Sequence, residues 1–555
     1  MKNGKQQPQE TRGSSREALF AVLVTLICLL PFIDKAFHID DPQFLWAAEQ
    51  IQADPLDFYG FDVNWQGVMR PMFEGNKNPP LLSFYLAGAT ALLGWSEVAV
   101  HLAMLLPAAM LALGIYWLAA ALSCRPLEAT LLAMLSPLIL ISSTTVMSDV
   151  LMLALWCGGL GLWIQGLERP SLARLLAAAV LLGLCSLTKY FGLAALPLAA
   201  LYAALTRRAG SWLWVLLIPL LMLGAYFALT YQAYGLVPFA DVAGIAGKFR
   251  SHAGFSLLDT ALVAVLFLGG GLIGTAFYIP FIYSPRAIAL QAGAALLMVS
   301  ALVLLEPGTS LAARGDQGLR WGFLLHAGLF GFLGLNVLVL ATAALREWRD
   351  PVTVLLCCWL LGVFVFSAVQ NWAPNGRSLL PAAVPASILI MRRLGRPSGV
   401  RAPALRLLAA SILALWVTVA DYALAGAQRD AVQEVALKLG DQEKRIWFQG
   451  SWGFQWYMEQ AGFTKIDHDA TTLLAGDLIV YPHNNPRWMN FSPEFAKRVT
   501  ALRVPVSTWA TTKSVPLGAG FYGRGPLPFV FGPSEPEWYS VRQVVWSARL
   551  ELPDP

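Results

Sequence analysis

The sequence predicts a mainly α, polytopic membrane protein with about 13 transmembrane helices, a large first periplasmic loop and a small C-terminal periplasmic α/β domain. Three observations predict it. The 555 residues are 57% hydrophobic and only 13% charged, whereas soluble domains run about 45–50% apolar and about 25% charged. Apolar runs of bilayer length, about 17–25 residues, recur from one end of the chain almost to the other. The stretch 426–555 carries no such run and reads as a polar unit. A mean hydropathy of +0.58 excludes an ordinary soluble enzyme, and it excludes disorder, which goes with low hydrophobicity. The net charge of +5 is small, and no basic tract with interleaved aromatics points to nucleic acid.

The chain opens with Lys2, Lys5, Arg12 and Arg16, then an apolar run to Phe32. Ile33, Asp34 and Lys35 follow in place of a small-residue cleavage site, so the run reads as an uncleaved first span with a cytoplasmic N-terminus. Thirteen spans are expected at 18–35, 98–122, 127–146, 149–167, 171–188, 190–206, 212–233, 258–283, 287–305, 321–344, 352–370, 378–391 and 404–425. A fourteenth run, 79–95, begins with two prolines and decides the orientation of everything after it.

Charge settles that question. If 79–95 does not cross, the loops placed inside hold thirteen arginines, five of them at Arg392, Arg393, Arg396, Arg401 and Arg406. The loops placed outside hold six positive residues: Lys189, Lys248, Arg250, Arg314, Arg320 and Arg377. The positive-inside rule favours this arrangement. The segment 79–95 then lies along the outer interface, and the C-terminus is outside. The localisation expected is a bacterial inner membrane.

Two domains follow: a transmembrane domain over 1–425, with a first outer loop over 34–97, and a C-terminal domain over 426–555. In the latter, Arg445–Gln449 and Asp477–Tyr481 read as strands, and Trp452–Gln460 as a helix ended by Gly462. Trp447, Trp452, Trp456 and Tyr457 read as the core of that unit. The six cysteines (Cys28, Cys124, Cys157, Cys185, Cys357 and Cys358) lie in or beside apolar runs without zinc-ligand spacing, and read as small apolar residues.

The chemistry-bearing residues gather on the outer side. Asp40 and Asp41 follow the first span; as bare residues they fit a helix start equally well. Arg70, Glu74 and Lys77 precede the interfacial segment, and Lys77 stands at headgroup depth. Asp149 stands at the outer end of a span, where a helix N-terminus also explains it. Lys189 occupies a tight outer turn. Lys248, Arg250 and His252 share the next outer loop, and Arg377 follows in Asn375-Gly376-Arg377.

In this order, Asp40-Asp41 with Ala47-Ala48-Glu49, Lys77-Asn78-Pro79-Pro80-Leu81, Gly94-Trp95-Ser96-Glu97, Ser148-Asp149 and Leu187-Thr188-Lys189-Tyr190 resemble the GT-C glycosyltransferases. The nearest branch is the lipid A aminoarabinose transferase and protein O-mannosyltransferase group. The resemblance covers residues 18–210 and extends more loosely to His252 and Arg377-Ser378-Leu379-Leu380-Pro381. The chain departs from the family pattern at Asp41 (for Glu), Asn78 (splitting Lys from Pro), Val150 (for Pro) and Tyr190 (for Gly).

The resemblance implies transfer of a sugar from a polyprenyl-phosphate carrier to an acceptor hydroxyl of a lipid, glycan or protein. A hydroxyl nucleophile needs a base within hydrogen-bond reach, and motif position makes Asp40 that base. Asp41 or Asp149 would orient the acceptor or hold a cation. Lys77, Lys189, Arg250 and Arg377 would meet the charge developing on the leaving phosphate. Backside attack would invert the anomeric centre. No cofactor is required. A divalent metal is an option, with Asp40, Asp41, Glu74 and His252 as the oxygen and nitrogen set. The partners expected are the lipid-linked sugar, the acceptor and membrane lipids. The rival readings are a transporter or flippase of lipid-linked intermediates and a non-catalytic assembly subunit. A transporter would want charges buried mid-span, and the expected spans are nearly charge-free.

Overall fold

The computed structural model describes residues 13–550 apart from 123–124, 209, 238, 240–255, 306–309, 317, 372, 396–400, 441–443, 486–488, 507 and 524. The described chain is mainly helical. Eight helices are long and apolar enough to cross a membrane, or ten when two bent pairs each count as one span. The expected figure of thirteen is therefore not reached by length.

The shortfall has local causes. Pro137 disfavours helical backbone at the residue before it, and Ser136 there adopts extended geometry and caps the next turn by accepting from Ile139 N–H at 3.4 Å. The run 127–146 thus becomes Pro126–Met134 and Pro137–Ser143, bent by 63°. Gly269–Gly271 close the helix Leu257–Gly271, and the chain turns by 68° into Ile273–Ile282. Leu172–Thr188 and Tyr190–Leu205 are apolar but shorter. The run 378–391 is assembled from Gly376–Leu379, Leu380–Ala382 and Ala383–Leu394, with Pro381 at the join. Leu81–Leu93 has 13 residues. At 1.5 Å per residue that is about 20 Å, short of an apolar bilayer core of about 30 Å.

The last long helix, Arg401–Leu439, has 39 residues. Its length of about 58 Å exceeds the bilayer core. It runs through the expected domain boundary at 426 because the apolar face continues. Ala427, Ala431, Val432 and Val435 pack with Phe448, Phe454, Leu478, Val480 and Val541 of the C-terminal unit.

That unit is built on a five-stranded sheet ordered Thr464–Lys465, Ile446–Phe448, Leu478–Pro482, Glu537–Val544, Ala496–Val504. The first three strands are parallel and the last two pairings antiparallel. The helix Trp452–Gln460 forms as its sequence pattern led us to expect, but it leads into the short parallel strand Thr464–Lys465, which was not foreseen. The long strands Ala496–Val504 and Glu537–Val544 were not foreseen.

The C-terminal unit docks on the first loop. Ser451 Oγ donates to the Trp65 carbonyl (2.8 Å), Lys465 Nζ to the Asn64 carbonyl (2.7 Å), and Asn64 Nδ2 to the Ile466 carbonyl (3.0 Å). Trp456, expected in the domain's own core, packs instead across this junction against Trp46 and Phe37.

Candidate functional site

Asp40 stands at the start of the helix Asp41–Ala53, just after Ile39, whose φ of 49° lies in the left-handed region. A β-branched side chain is strained there. The turn sends the two neighbouring carboxylates to different places. Asp41 is fully buried. Its Oδ2 accepts from His38 N–H and its Oδ1 from Val146 N–H, both at 2.8 Å. Asp41 therefore ties the first loop to the turn that leads into Asp149. Burial pushes its carboxyl up to about 7, against the two N–H donors and Lys35. The His38 ring is also buried, and burial lowers its pKa to about 3.

Asp40 turns the other way and meets Arg377, which donates through Nη1 to Asp40 Oδ2 at 2.6 Å. The same guanidinium donates through Nε to Asp149 Oδ2 at 2.8 Å. Lys189 Nζ donates to Asp149 Oδ1 at 2.6 Å. Two acids and two bases thus form one chain of charge-assisted hydrogen bonds, drawn from four places in the sequence. Their side chains grade inward: Asp40 is 31% exposed, Lys189 21%, Arg377 13% and Asp149 2%. The acid that solvent or a substrate can reach is Asp40.

Local sequence holds each member. Asp149 opens the helix Asp149–Glu168, where the positive end of the helix dipole favours a carboxylate. Lys189 lies in extended backbone between Leu172–Thr188 and Tyr190–Ala194. Arg377 sits in a short helix fixed by a capping box, in which Asn375 and Ser378 cap each other. Burial lowers the Lys189 ammonium, opposed by Asp149. Burial also acts to lower Arg377, but Asp149 and Asp40 outweigh it and hold the guanidinium above its ordinary range.

Four of the expected residues, Asp40, Asp149, Lys189 and Arg377, therefore come together. Asp41 lies behind them and does not join the chain of bonds. Lys77 lies between the short helix Met72–Gly75 and Leu81–Leu93; nearby, the Asn78 carbonyl accepts from Tyr59 OH at 2.7 Å. Glu74 faces Arg70 at 3.9 Å on the exposed surface. Arg250 and His252 fall outside the described residues. Among the described residues no group of three or more His, Cys, Asp or Glu side chains could hold a metal ion; His252, the fourth member of the expected set, lies outside them.

The sequence reading missed a second buried network behind the first. Lys35 Nζ donates to Asp421 Oδ2 (2.6 Å) and Thr144 Oγ1 (3.1 Å), and both charged side chains are fully buried. Asp421 also accepts from Thr512 Oγ1 (2.6 Å) and Tyr522 OH (2.7 Å) of the C-terminal unit. The available signal was Asp421 itself, an acid inside an otherwise apolar run.

Residues 77–233 match the family described as dolichyl-phosphate-mannose-protein mannosyltransferase. The match bears out the GT-C resemblance over this segment. It takes in Lys77, Asp149 and Lys189, while Asp40, Asp41 and Arg377 lie outside it. No curated protein matches the chain. Among solved structures, the chain is similar to the oligosaccharyltransferase of Archaeoglobus fulgidus in its apo form, at 14% identity and a TM-score of 0.49, covering 81% of this chain and 64% of that one. It is similar to ArnT from Cupriavidus metallidurans bound to undecaprenyl phosphate, at 14% identity and a TM-score of 0.43, covering 85% and 94%. The mycobacterial arabinofuranosyltransferase AftD aligns at 14% identity and a TM-score of 0.42, covering 97% of this chain and 40% of that one.

Proposed function

We propose that the chain is an integral membrane glycosyltransferase that moves a sugar from a polyprenyl-phosphate carrier to an acceptor hydroxyl at the outer face of a bacterial inner membrane. In this reading its thirteen helical segments span the bilayer, the N-terminus is cytoplasmic and the C-terminal unit periplasmic. The observation that carries the reaction is the chain Asp40, Arg377, Asp149, Lys189, which sets a reachable carboxylate beside two partly buried cations.

Asp40 accepts the proton as the acceptor oxygen attacks the anomeric carbon. The new carbon–oxygen bond forms while the bond to the phosphate oxygen breaks on the opposite face, so the anomeric centre inverts. The electron pair leaves with the polyprenyl phosphate. Lys189 and Arg377 stabilise that charge, and preset cations of this kind need no reorganisation as it develops. Lys77 and Arg250 are assigned to the same phosphate from the outer loops. Asp149 holds the two partly buried cations in place, and Asp41 positions the strained turn that carries Asp40.

The test is sugar release from a pool of polyprenyl-phosphate-linked sugars in detergent, with the product identified by mass. Asp40→Asn should lower turnover by roughly 10²–10⁴-fold, the usual range for a lost general base. Wild-type turnover in Asp40→Asn would sink the assignment. Flux of lipid-linked sugar across vesicles that ignores the substitution would support the transporter instead.

A further inference from the structure

We propose that Phe521 and Tyr522, adjacent residues of the C-terminal unit, are positioning residues that clamp both halves of the ion-pair chain; the proposal rests on the glycosyltransferase reading and names a further part of its site. Neither residue touches Asp40, Asp149, Lys189 or Arg377 through a hydrogen bond. Phe521 reaches Arg377 through Gly376, and Tyr522 reaches the loops bearing Asp40 and Asp149 through Asp421, Lys35 and His38.

Phe521 acts on the Arg377 side. Its carbonyl accepts from Gly376 N–H at 2.8 Å, and its own N–H donates to the Thr512 carbonyl at 2.8 Å. The Phe521 ring is fully buried and lies against Gly376, where a Cβ would come within 2.5 Å of it. A heavy-atom approach that close is below van der Waals contact, so any larger residue here would have to displace the buried ring. The residue next to Arg377 is thus pinned by the C-terminal unit from two directions.

Tyr522 acts on the acidic side. Its hydroxyl donates to Asp421 Oδ2, the oxygen that also takes Lys35 Nζ. Lys35 continues to Thr144 Oγ1. Two residues on, Val146 N–H holds Asp41, and the same turn delivers Asp149. The Tyr522 ring also stands edge-on to the His38 ring, at 5.5 Å between centroids, and His38 N–H is the other donor to Asp41. One dipeptide, far from the catalytic residues in sequence, therefore fixes Arg377 on one flank and the loops bearing Asp40 and Asp149 on the other.

The test uses the full-length protein in detergent with two readouts. Tyr522→Phe removes only the hydroxyl; it should lower kcat about 10-fold with donor KM changed less than two-fold. In hydrogen–deuterium exchange it should raise exchange in the peptides holding 144–149 and 375–379 together, with the sheet strand Leu478–Pro482 unchanged. Gly376→Ala should lower kcat, and Gly376→Ala with Phe521→Ala should recover at least part of that loss by removing the ring. Exchange that rises only around 510–531 in Tyr522→Phe, or a double variant no better than Gly376→Ala, would overturn the clamp. The exchange readout decides the clamp even if no polyprenyl-phosphate sugar is turned over by the wild type, an outcome that would count against the enzymatic reading alone.

Discussion

Arg377 and Asp149 meet at 2.8 Å across 228 positions of chain, and the same guanidinium holds Asp40 at 2.6 Å. One planar group thereby fixes the distance between two carboxylates with different exposures. Lysine cannot do this, because its ammonium is a point charge on a flexible stem. Arg377→Lys keeps the charge but gives up one of the two bonds. Turnover should fall by about 10–100-fold, the order of a lost preorganised donor. Steady-state kinetics on purified protein check it, and a loss below two-fold would show that charge at this position suffices without the fork.

Asp41 and His38 give stability two opposing pH dependences. The Asp41 carboxyl, ordinarily at 3.8, is raised to about 7 by burial. The folded state therefore binds that proton more tightly than the unfolded state, and the stability it contributes is full below 3.8 and lost as pH rises through about 7. His38 is lowered from 6.5 to about 3, again by burial. Its contribution is full above 6.5 and is lost as pH falls towards 3. In the wild type the two offset each other between these limits. Asp41→Asn should leave a protein that weakens on acidification below 6.5. His38→Gln should leave one that strengthens on acidification below 7. Either slope is at most about 1.4 kcal/mol per pH unit for one group. Denaturation midpoints of both variants across this window check the signs, and parallel curves would contradict the assignment.

The Lys35–Asp421 pair is fully buried, so removing one partner leaves the other charge without its counter-ion. Lys35→Met should destabilise by about 3–5 kcal/mol. Lys35→Met with Asp421→Leu should be less damaged than Lys35→Met alone, since no charge is then stranded. Thermal unfolding in detergent gives the comparison. A double variant as unstable as the sum of the singles would mean that the pair does not couple.

Much of the site was legible because charged residues stand out against apolar runs. Asp40, Asp149, Lys189 and Arg377 each flank such a run, and the cost of leaving a charge in that setting marks them. What the sequence could not carry was direction. Asp40 and Asp41 are adjacent and similar, yet the left-handed Ile39 sends one to Arg377 and the other inward. The Lys35–Asp421 pairing was hidden by a separation of 386 positions. In the fold, the helix Trp452–Gln460 was readable from its period and Gly462. The strand Ala496–Val504 was not, because its burial does not alternate, and a register shift at Val541/Arg542 interrupts its pairing with Glu537–Val544. Fewer helices than the thirteen expected runs reach bilayer length unbroken among the described residues, because proline and glycine break helices that composition alone leaves continuous.

Docking of the C-terminal unit depends on one close approach. A Cβ on Gly453 would stand 1.8 Å from the Phe37 carbonyl oxygen, and that atom is backbone, which cannot swing aside. Phe37 N–H in turn donates to Tyr457 OH at 2.8 Å, and Tyr457 OH donates to Glu97, so the approach is held on both sides. Gly453→Ala must push the helix Trp452–Gln460 away from the first loop and strain the bonds from Ser451 and Gln455 to the Trp65 and Asn64 carbonyls. Forcing atoms into a packed interface typically costs about 1–3 kcal/mol. The effect should appear as faster proteolysis of the C-terminal unit and a lower unfolding temperature, with the transmembrane helices retaining their circular-dichroism signal. A Gly453→Ala protein with wild-type protease resistance would show that the helix does not seat against Phe37.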